Sequence, residues 1–279
     1  MLKVIKSGFY LTVQDLGRFY SRNKGVPVSG AMDTLSLLRA NALLENQDTD
    51  AVLEIAMMGP TLLFKESTYI SLAGAEMTVT LNDKGIQNNT AYKINAGDIV
   101  SYGRLEKGFR GYLAIKGGFQ TKSVLDSKSF YTPITDENRL KNGDLVPYNR
   151  TTVFMPKISE IKTGSLLEES ILTVYRAPEY GHLTDKQLES IFAKEFTIAK
   201  ENDRMAYQLK ETIQGHDISM LTSATLPGTV QLTPSGKLIM LMKDGQTTGG
   251  YPRILQLTNE AICILAQKKS GDIVSFKLM

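Results

Sequence analysis

Residues Gly228–Pro252 read GTVQLTPSGKLIMLMKDGQTTGGYP. Within them Thr229-Val230-Gln231-Leu232-Thr233 alternates apolar and polar positions, the period of a half-buried strand. Pro234-Ser235-Gly236 is turn chemistry, and Lys237 to Met242 is almost wholly apolar, as in a strand buried on both faces. That second strand runs into Asp244-Gly245-Gln246-Thr247-Thr248-Gly249-Gly250-Tyr251-Pro252, a polar loop rich in glycine. Glycine lets the main chain approach a ligand closely and turn successive N–H groups toward an anion. On the end of a rigid apolar strand, such a loop is either a small-molecule site or a solvated turn.

Outward from this stretch, most segments predict short strands. Lys3–Ile5, Leu62–Phe64, Tyr69–Ala73, Met77–Leu81 and Tyr112–Ile115 are rich in β-branched and aromatic residues and punctuated by glycine. Gly97-Asp98-Ile99-Val100, Gly143-Asp144-Leu145-Val146 and Gly271-Asp272-Ile273-Val274 repeat one pattern, a Gly-Asp turn entering an apolar strand, which suggests two related β lobes. Three helices interrupt the strands. Asp33 is placed to cap a helix to about Leu44 with Leu35, Leu38 and Ala42 on one face. Thr184 and Gln187 form a capping box, with Leu183 and Leu188 as a staple, for a helix to about Ala193. Asn259 is placed to cap Glu260–Gln267, with Ala261, Ile264 and Leu265 inward. Periodicity fades around Pro156 and Gly164, so the lobes are set at about 1–150 and 170–279, free to intertwine, with a linker at about 147–170. The expected fold is mainly β, two barrel lobes with a few short helices.

Composition narrows the function. The chain has 279 residues, 42% hydrophobic and 22% charged, with a net charge of +3. That is the balance of an ordinary globular protein. The longest basic cluster is Lys268-Lys269, too small for a nucleic-acid footprint. The single cysteine, Cys263, allows no internal disulfide, lies in the last helix and reads as core filler. The opening Met1-Leu2-Lys3-Val4-Ile5 lacks a signal-peptide core and no run approaches a membrane span, so a cytoplasmic location is expected. His182 and His216 have no partner at metal-ligand spacing, and no metal site is expected. No G-x-S-x-G, H-E-x-x-H or G-x-x-x-x-G-K-[ST] occurs. Met242-Lys243 has the pair at which biotin is attached, but Asp244 follows it and no carrier module precedes it, so no covalent biotin is expected.

Near the N-terminus, Thr12-Val13-Gln14-Asp15-Leu16-Gly17-Arg18 precedes Gly25-Val26-Pro27-Val28-Ser29-Gly30-Ala31-Met32-Asp33. Asp15 and Arg18 can pair across the turn, or Arg18 can clamp a carboxylate or phosphate in a fork. Asn41, mid-helix, needs a partner for its amide, and a neighbouring loop would supply one. Asn202-Asp203-Arg204-Met205 brings a second Asp–Arg pair, read as structural.

Taken together, TVQDLGR, GVPVSGAMD, Ala40-Asn41, Leu53-Glu54 with Gly59-Pro60, YLAIKGG, NDRM, GTVQLTPSG and DGQTTGGYP resemble the biotin-dependent carboxyltransferase-like family over essentially the whole chain. That family includes allophanate hydrolase subunit 2, the antagonist of the sporulation-kinase inhibitor and the C-type subunit of the ATP-dependent 5-oxoprolinase. The resemblance implies cyclophilin-like barrel lobes and a stable complex with a homologous B-type subunit, working with a separate A-type one. It implies opening of 5-oxoproline to L-glutamate, with ATP used by the complex. The alternatives it carries are a non-catalytic regulator and a carboxyltransferase component acting on a urea-like amide. On this reading the loop Asp244–Tyr251 converges with Gln14–Arg18 and Ser29–Asp33 on a polar pocket. Arg18 or Arg204 would hold a substrate carboxylate, Asp244 would act as base or orient water, and the Gly249 and Gly250 amides would hold a phosphate or oxyanion. Gln14, Asp15, Ser29, Asp33, Asn41, Gln246, Thr247, Thr248 and Tyr251 complete the expected binding set. The chain departs from the family pattern at Tyr20, at Asp126 and Lys128, and at Ala206 and Gln208, which puts the substrate in question.

Overall fold

The computed structural model describes residues 1–158, 160–161 and 166–279. It divides into two compact units, Met1–Arg18 with Ser29–Leu167, and Phe19–Val28 with Glu168–Met279. Gly164, one marker of the expected linker, lies outside the described residues.

The first unit contains β1 (Leu2–Lys6), β2 (Tyr10–Gln14), α1 (Thr34–Leu43), β3 (Val52–Ala56), β4 (Thr61–Phe64), β5 (Thr68–Leu81), β6 (Lys84–Ile86), β7 (Ala91–Ile94), β8 (Ile99–Ile115) and β9 (Leu145–Val146). One nine-stranded sheet runs β2-β3-β8-β4-β1-β9, and the long β5 pairs with β6, β7 and β8. The sheet curls into a half-barrel around Leu2, Val4, Leu11, Val13, Phe64 and Ile115, all fully buried.

The second unit contains β10 (Ile171–Arg176), α2 (Asp185–Ala193), β11 (Phe196–Asn202), β12 (Ala206–Leu209), β13 (Ser223–Ala224), β14 (Thr229–Leu232), β15 (Leu238–Leu241), β16 (Thr248–Gly249), β17 (Arg253–Leu257), α3 (Asn259–Ala266) and β18 (Ile273–Leu278). Seven strands close a barrel in the order β10-β17-β14-β15-β12-β11-β18, sealed by parallel pairing of β10 with β18. β13 and β16 form a separate two-stranded ribbon. Among the described residues the fold is thus mainly β with three short α-helices, as the strand patterning predicts.

The Gly-Asp repeats form the same turn three times. Gly97, Gly143 and Gly271 adopt φ of +93°, +94° and +96°, a left-handed conformation that glycine takes without steric cost. Each aspartate accepts from the backbone N–H three residues earlier: Asp98 from Asn95 at 2.7 Å, Asp144 from Lys141 at 2.7 Å, Asp272 from Lys269 at 2.9 Å. Each turn also docks on a strand of its own unit by a reciprocal backbone pair, at Phe64, Val4 and Ile198 respectively. The short sequence pattern therefore encodes both a turn and its docking.

Local signals place the helices, and packing chooses their faces. Thr184 and Gln187 form the predicted capping box at the start of α2. Asp33 caps α1, accepting from the Ser36 N–H at 3.0 Å and the Ser36 hydroxyl at 2.6 Å. The buried face of α1 is Leu37, Ala40, Asn41 and Leu43, however, and Ala42 is exposed. Of the predicted face, Leu38 packs in part against this cluster and Leu35 is half-buried; the helix carries leucines on both sides, and packing against β5 and β8 buried the other side more deeply. α3 is capped by Thr258, whose hydroxyl accepts from the Ala261 N–H at 3.1 Å, one residue before the expected Asn259.

Phe196 is fully buried, sits where β11 joins β18, and meets Phe276 edge-on with centroids 5.6 Å apart. Phe196→Ala should therefore cost about 3–5 kcal/mol in urea unfolding. In the same unit Arg253 forks Glu179, with Nε–Oε2 at 2.8 Å and Nη2–Oε1 at 2.7 Å. That guanidinium holds the Glu179 carboxyl below its usual range. A depressed carboxyl contributes stability above its unfolded pKa and loses it as pH falls through the folded one. Glu179→Gln should flatten the acid limb of a stability–pH profile below about pH 4.5 and leave its neutral shape unchanged.

Candidate functional site

The residues singled out in the sequence fall in both units. Gln14, Asp15, Arg18, Ser29, Asp33 and Asn41 belong to the first, and Arg204 and Asp244–Tyr251 to the second.

In the first unit these side chains are buried and most of them bond their own chain, while Gln14 Oε1 and Ser29 Oγ meet no hydrogen-bond partner among the described residues. The Asp15 carboxylate does not face Arg18. Its Oδ1 accepts from Gly17 N–H at 2.8 Å, Ser127 Oγ at 2.7 Å and Ser129 Oγ at 2.6 Å, and its Oδ2 from Lys128 N–H at 2.6 Å. Arg18, fully buried, donates from Nε to the Val124 carbonyl at 3.2 Å and from Nη2 to the Ser129 carbonyl. Both grip the turn at 124–127, where Leu125 and Asp126 take left-handed φ of +53° and +60°, strained for side chains with a Cβ. Tyr20 takes φ of +65°, so two departures from the family pattern fall at backbone that favours glycine. Lys128 Nζ donates to the Phe119 carbonyl at 3.0 Å.

Gln14 Nε2 reaches Thr12 Oγ1 at 3.2 Å and the Phe130 carbonyl at 3.4 Å, and Ser29 is fully buried at φ +56°. Asn41 donates to the Asp50 carbonyl at 2.8 Å and accepts from Asn46 at 3.0 Å, the loop partner its mid-helix position requires. Asp33 is occupied as the α1 cap. A cavity of about 690 Å³ in this unit, lined by Thr121, Lys122, Phe130 and Glu137 among others, includes none of these residues.

The second unit holds a cavity of about 390 Å³ that does include expected residues, Gln246 and Tyr251. Strand pairing explains its floor. Gln231 of β14 lies opposite Ile239 of β15, and Ile239 opposite Gln208 of β12. Directly opposed residues share a face, so two carboxamides flank an isoleucine, and Ala206 and Leu241 continue the row. Val230, Met240 and Tyr207 point the other way, fully buried. The alternation in β14 thus predicts side-chain direction correctly, but its polar face is covered too: Gln231 is 1% exposed. Lys200, Glu201 and Asp203 supply the charged part of the lining.

The glycine-rich loop covers this floor. Asp244 starts it, held in the fork of Arg204 with Nε–Oδ2 at 2.8 Å and Nη2–Oδ1 at 3.1 Å. Arg204 therefore pairs with a residue 40 positions away, whereas Asp203 accepts from the N–H groups of Met205 at 2.7 Å and Ala206 at 3.0 Å. Both Asp244 oxygens are engaged by the guanidinium fork, which argues against Asp244 as a free base. Thr225 anchors the next turn, its hydroxyl on the Gln246 carbonyl at 2.5 Å and its N–H on the Thr247 carbonyl at 3.0 Å. Thr248 and Gly249 pair with Ala224 and Ser223. Gly249 is buried against Gln231, while Thr248, Gly250 and Tyr251 are exposed. Gln231 Nε2 donates to the Tyr251 carbonyl at 3.4 Å.

Three more features belong to these units. Gln231 looked like a solvent-facing strand position. Glu54, Arg110 and Tyr112 form a buried group in the first unit. Glu54 Oε2 accepts from Met32 N–H and the Tyr112 hydroxyl, both at 2.8 Å, and Arg110 Nε stands 3.8 Å from Oε1. Burial, together with the Glu54 and Asp33 carboxylates, pushes the Tyr112 phenol well above its ordinary range and keeps it a neutral donor. Arg22, in the segment Phe19–Val28 that belongs to the second unit, donates to the Thr225 carbonyl beside the loop. Among the described residues it pairs with no carboxylate, and burial lowers its pKa. Only the Glu54 motif left a sequence signal. His216 has both ring nitrogens engaged, Nε2 with the Leu232 carbonyl at 2.9 Å and Nδ1 with the Ile218 N–H at 3.0 Å. No group of three His, Cys, Asp or Glu side chains able to hold a metal ion occurs among the described residues.

Comparison with known proteins fits this architecture. The 5-oxoprolinase C subunit of Haemophilus influenzae is 32% identical over 99% of this chain and 91% of its own length. The crystal structure of TTHA0988 superposes with a TM-score of 0.90 at 25% identity, covering 99% of this chain and 55% of that one, so this chain spans about half its length. The Kluyveromyces lactis urea amidolyase matches at a TM-score of 0.87 and 25% identity, over 99% of this chain and 18% of that one. The family model described as carboxyltransferase domain, subdomain A and B, matches residues 24–278. The chain belongs to this carboxyltransferase-domain family.

Proposed function

We propose that the chain is the C-type subunit of an ATP-dependent 5-oxoprolinase, opening the lactam of 5-oxoproline to L-glutamate together with a homologous B-type subunit, with a separate A-type one completing the enzyme. The end-to-end similarity to a 5-oxoprolinase C-type subunit is what carries the reading. The second unit's cavity supports it. About 390 Å³ is ample for a small ring, and carboxamides from Gln208, Gln231 and Gln246 offer the donors and acceptors that an amide matches. Lys200 is the cation that lines it and suits the substrate carboxylate better than Arg204, whose fork holds Asp244. Asp244 and Arg204 then position the loop. With no P-loop sequence here, ATP chemistry belongs to the partner chains, and no covalent biotin is assigned to this chain. The location proposed for the complex is cytoplasmic.

A second reading, carboxyl transfer to a urea-like amide, is favoured by the carboxyltransferase description of the family and by the likeness to urea amidolyase. The same amide-lined cavity would serve it.

The test is ATP hydrolysis dependent on 5-oxoproline, with this chain co-expressed with candidate B-type and A-type partners. Turnover only when all three are present is expected; turnover without this chain, or a stable complex with none, overturns the reading. In the active complex Asp244→Asn should weaken the Arg204 fork and lower stability by up to about 3–5 kcal/mol, as when one partner of a buried pair is removed. Activity should fall with it, and full activity would remove Asp244 from the mechanism.

A further inference from the structure

Gly249 is where two glutamine side chains meet. A Cβ built on it would lie 2.5 Å from Gln231 Nε2 and 2.9 Å from Gln246 Nε2. Both carboxamides line the cavity of the second unit. Gln231 is oriented by the strand pairing of β14 with β15 and by its long bond of 3.4 Å to the Tyr251 carbonyl. That bond uses one of its two N–H donors and leaves the other available. The Gln246 carboxamide makes no hydrogen bond among the described residues, so it is available to a ligand, while its backbone is fixed by Thr225. Gly249 has no left-handed φ to explain its identity. What requires glycine there is the approach of the two side chains.

We infer that Gln231 and Gln246 form a two-donor cradle for the carbonyl oxygen of an amide substrate, and that Gly249 is glycine to let them converge. This rests on the 5-oxoprolinase reading only for the identity of the amide. It also changes how the loop works. The donors are side-chain N–H groups and not the Gly249 and Gly250 amides, because Gly249 is buried in the ribbon with Ser223. Paired donors beside an oxygen that gains negative charge during ring opening would stabilise that charge.

The test compares Gln246→Leu and Gly249→Ala with wild type in the assembled complex, with thermal melting of each full chain as the folding control. Gln246→Leu should lower kcat about 100- to 1,000-fold, the loss on removing one oxyanion donor, with a much smaller change in KM and an unchanged melt. Gly249→Ala should lower kcat by pushing both carboxamides apart. A kcat within twofold of wild type for Gln246→Leu overturns the cradle and leaves the assignment to a 5-oxoprolinase standing. A readout independent of turnover uses the side-chain NH₂ resonances of Gln231 and Gln246 in the ¹⁵N-glutamine-labelled full chain, titrated with the neutral lactam 2-pyrrolidinone. Both should shift together in wild type and neither in Gly249→Ala. An inactive wild-type complex whose two signals still shift refutes the 5-oxoprolinase reading but supports an amide cradle. Signals that do not move overturn the cradle itself.

Discussion

A carboxylate taken out of water has to be met by donors, and in the first unit Asp15 is met by four, from Gly17, Ser127, Lys128 and Ser129. Three of them lie more than a hundred positions along the chain. Satisfying one buried charge therefore fixes how the end of β2 and the segment 124–129 run past each other. Arg18 adds its bonds to the carbonyls of the same segment. The left-handed pair Leu125 and Asp126 persists because these contacts over-determine it.

The second unit answers the same constraint with a pair. Arg204 and Asp244 are mostly buried and neutralise each other, and their fork sets the start of the glycine-rich loop. From there the loop is held by backbone and hydroxyl contacts, from Thr225 to Gln246 and Thr247 and from Ser223 and Ala224 to the ribbon strand. Charged groups build the frame, and neutral carboxamides form the cavity floor. A neutral floor suits an amide, whose recognition needs matched donors and acceptors more than a strong field.

Much of the local structure was legible along the chain. The capping box of α2, the Asp33 cap and the three Gly-Asp turns depend on residues within a few positions of one another, so spacing alone exposes them. The strand stretch 229–242 was legible for the same reason. The site was legible only in part. Gln246 and Tyr251 do line a cavity, but Gln231 was hidden by the assumption that a polar strand position faces water. Arg204 carried the right chemistry with the wrong neighbour, because Asp203 was close in sequence and Asp244 is close in space.

The sequence by itself determined where the chain turns, which segments are strands, which residues cap α1 and α2, and which polar residues accumulate on a glycine-rich loop. Those properties arise from backbone dihedral preferences and hydrogen bonds spanning a few residues. Only the tertiary structure decided which face of α1 is buried, which acid meets Arg204, and that Asp15 serves the segment 124–129. It also brought Gln231, eighteen positions away, against Gly249 beside the nearby Gln246. Each of these depends on which strands end up side by side, and strand pairing is fixed by the summed burial of the whole core, which no short window of sequence contains.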